Sequence, residues 1–335
     1  MTHEFKQFVD VAYKNQNIKH VLATVVALDG SSYRKPGVQM LISEYGTMTG
    51  AVSGGCVEKE VLFQSQSVFL TNCPKVITYN GTFRLGCEGI LYILIEPFKL
   101  TTESYTRIQT ELQERRSMEM TSYFEKRVKQ DYCFGSTIKL SDNTILNFRA
   151  DFKPGSNTTT RSQNFTAIPQ LVIFGGEHDA VALYKSAALL GWDIKVIASP
   201  RNPITLENFP EATKIYYQDP SMEFDFILDE HTAVVLMNHN YARDLQFFLQ
   251  IQAFPVYYIA VLGSVKRRER LIHDLIEFAP DADTDFTDTI YSPAGIHIGA
   301  ITPQEIAISI LSEMIAVKRN KEVPSLRNYL GSFHY

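Results

Sequence analysis

Hydrophobic and polar positions in the first half of the chain predict a mixture of helices and buried strands. Apolar residues at helical spacing over residues 4–14 predict an opening amphipathic helix. Continuous apolar, β-branched runs predict buried strands at 21–28, 38–42, 75–79 and 90–96. Helices are predicted over 57–68 and 102–116, and hairpin strands over 118–151. This half of the chain is therefore expected to form an α+β module.

From residue 170 onward, short apolar runs alternate with helical patterns, as is typical of a doubly wound parallel sheet. Strands are predicted at 171–174, 194–198, 214–217, 233–237 and 257–262. Helices are predicted over 180–190, 266–278 and 303–318. The last of these has the start signal of a capping box, with Thr302 before Pro303 and Glu305 three residues after the cap. This half predicts a Rossmann-like domain.

A change in composition separates the two halves. Residues 153–163 are rich in Pro, Gly, Ser, Asn and Thr and almost lack large apolar side chains, which favours a linker. The sequence thus predicts an α/β protein with an N-terminal α+β domain over 1–152, a linker over 153–168 and a Rossmann-like domain over 169–335.

Composition and charge limit the classes of function. A chain of 335 residues is long enough for two domains, and a net charge of −5 argues against general nucleic-acid binding. No apolar run approaches the ~20 residues of a membrane span, and the N-terminus lacks the apolar core of a signal peptide. Four cysteines are too few for a disulfide scaffold of this size. A reduced, cytoplasmic protein is predicted.

The stretch Gly54-Gly55-Cys56 carries the main candidate for chemistry. It lies between a predicted strand and a predicted helix, so Cys56 falls at or near the first helical turn, where the dipole is positive. A thiol at such a position is expected to be accessible, to titrate below the free value of about 8.5, and to act as a nucleophile or metal ligand. The alternative is a Gly-rich turn followed by a buried, inert cysteine.

A second Gly-rich loop carries Cys87, between Gly86 and Gly89. Two glycine-flanked cysteines in one small domain can converge, so Cys56 and Cys87 are predicted to lie on the same face and to share one ligand. Cysteine in a turn is common, which leaves an ordinary structural role for Cys87 open. Cys73 and Cys133 have no predicted role.

A polar loop after the first strand is the candidate for anion binding. Ser31 and Ser32 stand beside the positive charges of Arg34 and Lys35, a combination suited to a phosphate group. A solvated hairpin loop explains the same residues equally well.

The second domain has the layout of a dinucleotide-binding unit without its complete fingerprint. Glu177 occupies the place of the second glycine, where its carboxylate would crowd and repel pyrophosphate, and Ser199 replaces the acid that holds a ribose. Weak or absent NAD binding is therefore predicted. His239, at the end of a predicted strand, is either a ligand or acid–base group or a structural histidine.

Taken together, these motifs resemble the XdhC/CoxI family, the xanthine dehydrogenase accessory factors. The matching pieces are Ala23-Thr24-Val25-Val26 with Gly30-Ser31-Ser32 and Pro36-Gly37, Gly50 to Glu58, Leu85 to Gly89 with Glu96-Pro97, Asn238-His239, Leu262-Gly263-Ser264 with Lys266, and Ile298-Gly299-Ala300 through Ala307. They follow the family's order over nearly the whole chain. The sequence departs from the family pattern at Glu88, Glu177 and Ser199.

The resemblance implies a binding protein rather than a catalyst. Its cargo would be molybdenum cofactor of the molybdopterin type, delivered to an apo molybdenum hydroxylase such as xanthine dehydrogenase, with a cysteine desulfurase as a second partner and a homodimer as the assembly. Cys56 matches the family's cofactor-binding cysteine. We expect Cys56 and Cys87 as metal ligands, and the cofactor-binding residues Cys56, Gly54, Gly55, Ser31, Ser32, Arg34, Cys87 and His239.

Two other functions fit parts of the pattern. One is an NAD(P)-dependent oxidoreductase that uses the Rossmann-like domain, which a complete fingerprint would favour and Glu177 disfavours. The other is a thiol redox sensor that pairs Cys56 with Cys87, which thiol labelling under oxidising and reducing conditions would distinguish from cofactor binding.

Overall fold

A computed structural model describes residues 1–30, 35–80, 89–201, 208–210, 214–279, 286 and 290–328, with Cys56 and Asn328 described by their backbone. The chain divides into a first compact unit over Met1–Ala167 and a second that begins at Ile168. Each unit has its own hydrophobic core and is described by itself below.

The first unit contains three helices and ten strands within the described residues. Its helices are α1 (Thr2–Lys14), α2 (Cys56–Thr71) and α3 (Thr102–Gln113). Six of its strands form sheet A: β1 (His20–Asp29), β2 (Gln39–Ser43), β3 (Met48–Gly50), β4 (Lys75–Asn80), β5 (Ile90–Pro97) and β7 (Lys129–Gln130). The other four form sheet B: β6 (Met118–Phe124), β8 (Gly135–Lys139), β9 (Ile145–Asn147) and β10 (Thr159–Phe165).

Sheet A is antiparallel, in the order β3-β2-β1-β5-β4-β7, and lies at the centre of the unit. Alternate residues of β1 enter different cores: Val21 and Ala23 pack beneath α2, whereas Leu22 packs with α1 and sheet B. Burial on both faces explains why β1 is a continuous apolar run rather than an alternating one.

Strand β10 corrects the predicted linker. Residues 159–165 pair antiparallel with β6 along their full length, at the edge of sheet B, and Phe165 is fully buried. Because the outer side chains of this edge strand face solvent, its composition is polar and resembles that of a linker. The prediction of a linker was therefore wrong for residues 159–165, which belong to the first unit.

The second unit has a parallel six-stranded sheet, sheet C, in the order β13-β12-β11-β14-β15-β16. Its strands are β11 (Gln170–Phe174), β12 (Asp193–Ala198), β13 (Lys214–Tyr217), β14 (Thr232–Leu236), β15 (Tyr258–Val261) and β16 (Ile290–Tyr291). Its helices are α4 (His178–Leu189), α5 (Tyr241–Ile251), α6 (Val265–Phe278) and α7 (Pro303–Lys318). This strand order is that of the Rossmann fold, which confirms the predicted fold class.

Helices cover both faces of sheet C. Leu171 and Ile173 of β11 join a core with α4 and α7, while Val172 and Phe174 join a core with α5 and α6. The carboxyl ends of β11 and β14 consequently meet at the edge where the strand order reverses, the usual place for a ligand cleft in such sheets.

Candidate functional site

The register of sheet A brings the last residues of β1, β3 and β4 and the first residues of β2 and β5 to one end of the sheet. Ile90, the first residue of β5, lies opposite both Asp29, the last residue of β1, and Asn80, the last residue of β4. Strand β2 begins at this end, and Gly50, the last residue of β3, pairs with Met40 there. We call this the loop end of sheet A. The strand ends that border residues 30–38, 51–55 and 81–89 in the sequence all lie at the loop end.

Helix α2 starts directly after the glycine turn, at Cys56, as the sequence predicted. Gly55 is its N-cap residue, with φ 129° and ψ −35°, a conformation that side chains rarely adopt. A Cβ atom added at Gly54 or Gly55 would meet no atom of the described residues within 4 Å. The backbone of this turn is therefore open to the approach of a ligand.

Glu58, in the first helical turn of α2, hydrogen-bonds back to the glycine-containing loop before the helix. Its Oε1 accepts from the Ser53 N–H at 2.6 Å, and its Oε2 accepts from the Gly55 N–H at 2.8 Å and the Ser53 hydroxyl at 2.9 Å. Burial alone would raise the pKa of the Glu58 carboxyl, but these hydrogen bonds and one from its own N–H outweigh burial and hold the pKa below its usual value. Sequence analysis assigned no role to Glu58.

The N-cap of α2 leaves the helix start available to an anion. Gly55 has no side chain that could accept a hydrogen bond from the first-turn N–H groups. Such N–H groups and the positive end of the helix dipole favour negative charge, including that of a thiolate on the first helical residue. The position of Cys56 in the helix is therefore suited to the chemistry that the sequence predicted.

Arg161 is a further cationic residue beside the loops, and the sequence analysis missed it. Its Nη2 donates to the carbonyl of Pro36 at 2.7 Å, at the foot of the segment that carries Ser31, Ser32 and Arg34. Burial lowers the pKa of this guanidinium, and no carboxylate of the described residues forms an ion pair with it. Arg161 was not predicted as a site residue because it lies in the segment that was interpreted as a linker.

Several predicted residues lie outside the described part of the structure. These are Ser31, Ser32, Arg34, Cys87 and the side chain of Cys56. The described strand ends that flank Ser31, Ser32, Arg34 and Cys87 in the sequence lie at the loop end of sheet A. Shared ligation by Cys56 and Cys87 stays a prediction.

The two described thiols have a different character. Cys73 is buried, and burial raises the pKa of its thiol. Burial and the nearby Asp131 carboxylate also raise the pKa of the half-buried Cys133. The raised pKa values favour the protonated thiol, which is the less nucleophilic form, at both positions.

His239 belongs to the second unit, where it lines a cleft at the switch point of sheet C. The cleft measures ≈ 270 Å³, slightly below the range of about 300–1,000 Å³ that is usual for ligand pockets. Its lining residues are Gly175, Gly176, Glu177, Ala198, Ser199, Asn238, His239, Asn240 and Arg243. His239 is exposed, and Glu177, the N-cap of α4, is exposed and makes no capping hydrogen bond.

Arg243 occupies the edge of this cleft at the end of β12. Its guanidinium donates to the carbonyls of Ala198 and Gln218, and Nη1 lies 3.5 Å from the Asp219 carboxylate. A cation thus stands where dinucleotide-binding proteins place an acid for the ribose. Position 175 requires a glycine, because the Cβ atom of any other residue would lie 2.8 Å from the Met237 carbonyl oxygen.

An ion pair with a fully buried carboxylate fixes the loop after β14. Asp244 is 0% exposed and accepts from Arg267 and, at 2.8 Å, from the side chain of Asn238. Burial raises the pKa of the Asp244 carboxyl against the lowering effect of these two partners. The cleft wall that carries Asn238 and His239 is therefore held by a paired charge from α5 and α6.

Within the described residues, one group of side chains has the spacing of a metal site: His273, Asp274 and Glu277 on α6. Asp274 already accepts from Tyr241 at 2.7 Å and faces Arg270. Over the same residues, no helix has both the length and the apolar character needed to cross a membrane.

Fold and site together define a two-unit α/β protein with a cysteine-bearing loop end in the first unit and a Rossmann domain in the second. Residues 14–80 match the XdhC and CoxI family, and residues 171–314 match the XdhC Rossmann domain. These matches cover well over half of the chain, in the family's order. The chain belongs to the XdhC and CoxI family.

Three individual proteins are similar over most of their length. A Bacillus subtilis (strain 168) protein, named as a probable subunit of xanthine dehydrogenase, is 28% identical over 95% of this chain and 99% of its own. The Escherichia coli (strain K12) molybdenum cofactor insertion chaperone PaoD is 24% identical over 91% of this chain and 85% of its own. A crystal structure described as a xanthine dehydrogenase from Bacillus halodurans has a TM-score of 0.78 and 24% identity, covering 97% of this chain and 98% of its own, which establishes the fold alone.

Proposed function

We propose that this protein binds a molybdenum cofactor of the molybdopterin type and delivers it to an apo molybdenum hydroxylase such as xanthine dehydrogenase. Membership of the XdhC and CoxI family supports this proposal, as does similarity to a chaperone named for molybdenum cofactor insertion. The observation on which it rests is that α2 starts at Cys56, directly after the glycine turn that follows β3 at the loop end of sheet A.

The residues at the loop end suit such a cargo. The Cys56 thiolate would bind molybdenum, with Cys87 as a second ligand from the neighbouring loop. The open Gly54–Gly55 turn allows close approach of the cargo to the backbone. Ser31, Ser32 and Arg34 would hold the pterin phosphate through hydroxyl and guanidinium donors, the groups that commonly bind phosphate in proteins.

Delivery requires binding and release rather than acid–base catalysis. An exposed turn at the end of a sheet lets the cargo leave toward a partner without opening a core. In this proposal a cysteine desulfurase installs the sulfido ligand while the cargo is bound, and the chaperone acts as a homodimer.

A transfer assay tests the proposed function. Apo-hydroxylase from cells unable to make the cofactor is mixed with the purified chain from cofactor-producing cells. Restored hydroxylase activity with the wild-type chain, and none with Cys56→Ser, is the expected result. Equal restoration by both chains, or by neither while free cofactor succeeds, would count against delivery by this protein.

A further inference from the structure

The turn that presents Cys56 has few contacts of its own. Gly54 and Gly55 are exposed, and among the described residues no atom lies within 4 Å of a Cβ position at either glycine. Val52 precedes the turn and is fully buried beneath α2, so it anchors only the entry to the turn. Something else must therefore fix the backbone between Val52 and Cys56.

The Glu58 carboxylate supplies the missing contacts. Both of its oxygens accept backbone N–H groups, from Ser53 at 2.6 Å and from Gly55 at 2.8 Å. The Ser53 hydroxyl donates to Glu58 at 2.9 Å and accepts from the Gly55 N–H at 3.3 Å, which closes a small ring of hydrogen bonds. Glu58 is 8% exposed, and no cation of the described residues forms an ion pair with it. The side-chain hydrogen bonds of this carboxylate therefore go to the Ser53–Gly55 turn.

We infer that Glu58 is a positioning residue of the cargo site, which fixes the Ser53–Gly55 turn so that Cys56 is presented to the cargo. This inference rests on the proposed function. A carboxylate is needed because both oxygens must accept, whereas an amide at the same place would direct an N–H group toward one of the two backbone N–H donors. Hydrogen bonds to a charged group are stronger than neutral ones, which favours Glu over Gln here.

The test compares Glu58→Gln with Glu60→Gln, the same change on the same helix. Glu60 is exposed and accepts a hydrogen bond from Gln64 rather than from the turn. Chains purified from cofactor-producing cells are followed for bound molybdenum during dialysis. We expect about tenfold faster loss of molybdenum from Glu58→Gln, as one lost charge-assisted hydrogen bond would cause. Glu60→Gln should behave as wild type.

A second variant separates positioning from general stability. Val61 is fully buried one turn further along α2, and Val61→Ala destabilises the helix without touching the turn. It should lower the melting temperature at least as much as Glu58→Gln and still retain molybdenum. Equal retention by Glu58→Gln and Glu60→Gln, or loss of molybdenum by Val61→Ala in proportion to its stability, would overturn the inference.

Hydrogen exchange provides a readout that does not need the cargo. In the cargo-free protein, the amides of the Ser53–Gly55 turn should exchange faster in Glu58→Gln than in Glu60→Gln, with the middle of α2 unchanged. If the wild-type chain carries no molybdenum, the proposed function fails and the role of Glu58 is decided by this exchange alone. If the amides of the Ser53–Gly55 turn exchange at the same rate in Glu58→Gln and Glu60→Gln, the positioning role of Glu58 is refuted.

Discussion

The carboxylate of Glu96 accepts two hydrogen bonds from Ser136, one from the backbone N–H at 2.7 Å and one from the hydroxyl at 2.6 Å. Glu96 is the next-to-last residue of β5 in sheet A and is 2% exposed, so this contact joins sheet A to β8 of sheet B inside the first unit. Burial raises the pKa of Glu96 from 4.5 to about 7, although the hydrogen bonds and nearby Arg149 oppose the shift.

This raised pKa predicts that the first unit loses stability as the pH rises from 4.5 to 7. Over this window the unfolded chain has released the Glu96 proton while the folded chain retains it, so folding becomes less favourable. At about 1.4 kcal/mol per pKa unit, the loss amounts to about 3 kcal/mol. Glu96→Gln should remove this pH dependence, with its advantage over wild type largest above pH 7.

Hydrogen exchange of β5 and β8, measured at several pH values, checks this prediction. The single tryptophan, Trp192, reports on the second unit and should show the same urea transition in both proteins. Glu103→Gln, an exposed change on α3, is the control. Parallel pH profiles for wild type and Glu96→Gln would show that Glu96 does not titrate in this range.

The two glycines before Cys56 should respond differently to alanine. Gly54 has an ordinary φ and open surroundings, so Gly54→Ala should leave the melting temperature nearly unchanged while its methyl group hinders the cargo. Gly55 has φ 129°, and Gly55→Ala should cost roughly 1–3 kcal/mol of stability as well. Thermal unfolding and molybdenum retention measure the two effects. Full retention by Gly54→Ala would mean that the cargo does not approach this turn.

The ion pair of Asp244 and Arg267 should stabilise the second unit only while both charges are present. Arg267→Met leaves the fully buried Asp244 without its cation, which typically costs about 3–5 kcal/mol. The double variant Asp244→Leu/Arg267→Met removes both charges and should recover most of this loss. Urea unfolding followed by Trp192 fluorescence gives the comparison. A double variant no more stable than Arg267→Met would contradict it.

NAD should bind weakly or not at all to the full chain. Two unit charges 4 Å apart repel by about 1 kcal/mol in water and about 4 kcal/mol at an effective dielectric of 20. Because Glu177 is exposed, the smaller value applies, so repulsion alone accounts for less than tenfold in affinity. NAD binding is weakened further because the end of β12 carries the Arg243 guanidinium instead of an acid that would accept hydrogen bonds from the ribose hydroxyls.

Titration calorimetry of NAD into the full chain measures this directly. Glu177→Gly combined with Ser199→Asp should raise the affinity, since it opens the approach to α4 and supplies an acceptor. Micromolar binding by the wild-type chain would instead support the oxidoreductase alternative.

The Rossmann-like half could be predicted because its signals are local. Buried parallel strands appear as unbroken apolar runs, and the capping box is observed, with Glu305 N–H donating to Thr302 Oγ1 at 3.3 Å and Thr302 N–H to Glu305 Oε2 at 2.9 Å. Helix α5 was not assigned, although Asn240 caps it and Phe247, Phe248 and Ile251 form its buried face.

The remaining features depend on tertiary pairing. Strand β10 is polar because it is an edge strand, so no hydrophobic pattern separates it from a linker, and Arg161 was missed with it. The start of α2 at Cys56 was predictable from Gly54-Gly55, but the contacts of Glu58 with Ser53 depend on the path of the turn. Neither the pairing nor the path is encoded in residue spacing alone.

We propose that Cys56 holds molybdenum cofactor at the loop end of sheet A. The molybdenum content of chains purified from cofactor-producing cells, measured by mass spectrometry, tests this directly. Bound molybdenum is expected in the wild type and in Cys133→Ser, whose half-buried thiol has a raised pKa, and almost none is expected in Cys56→Ser. Equal molybdenum in Cys56→Ser and wild type would contradict it.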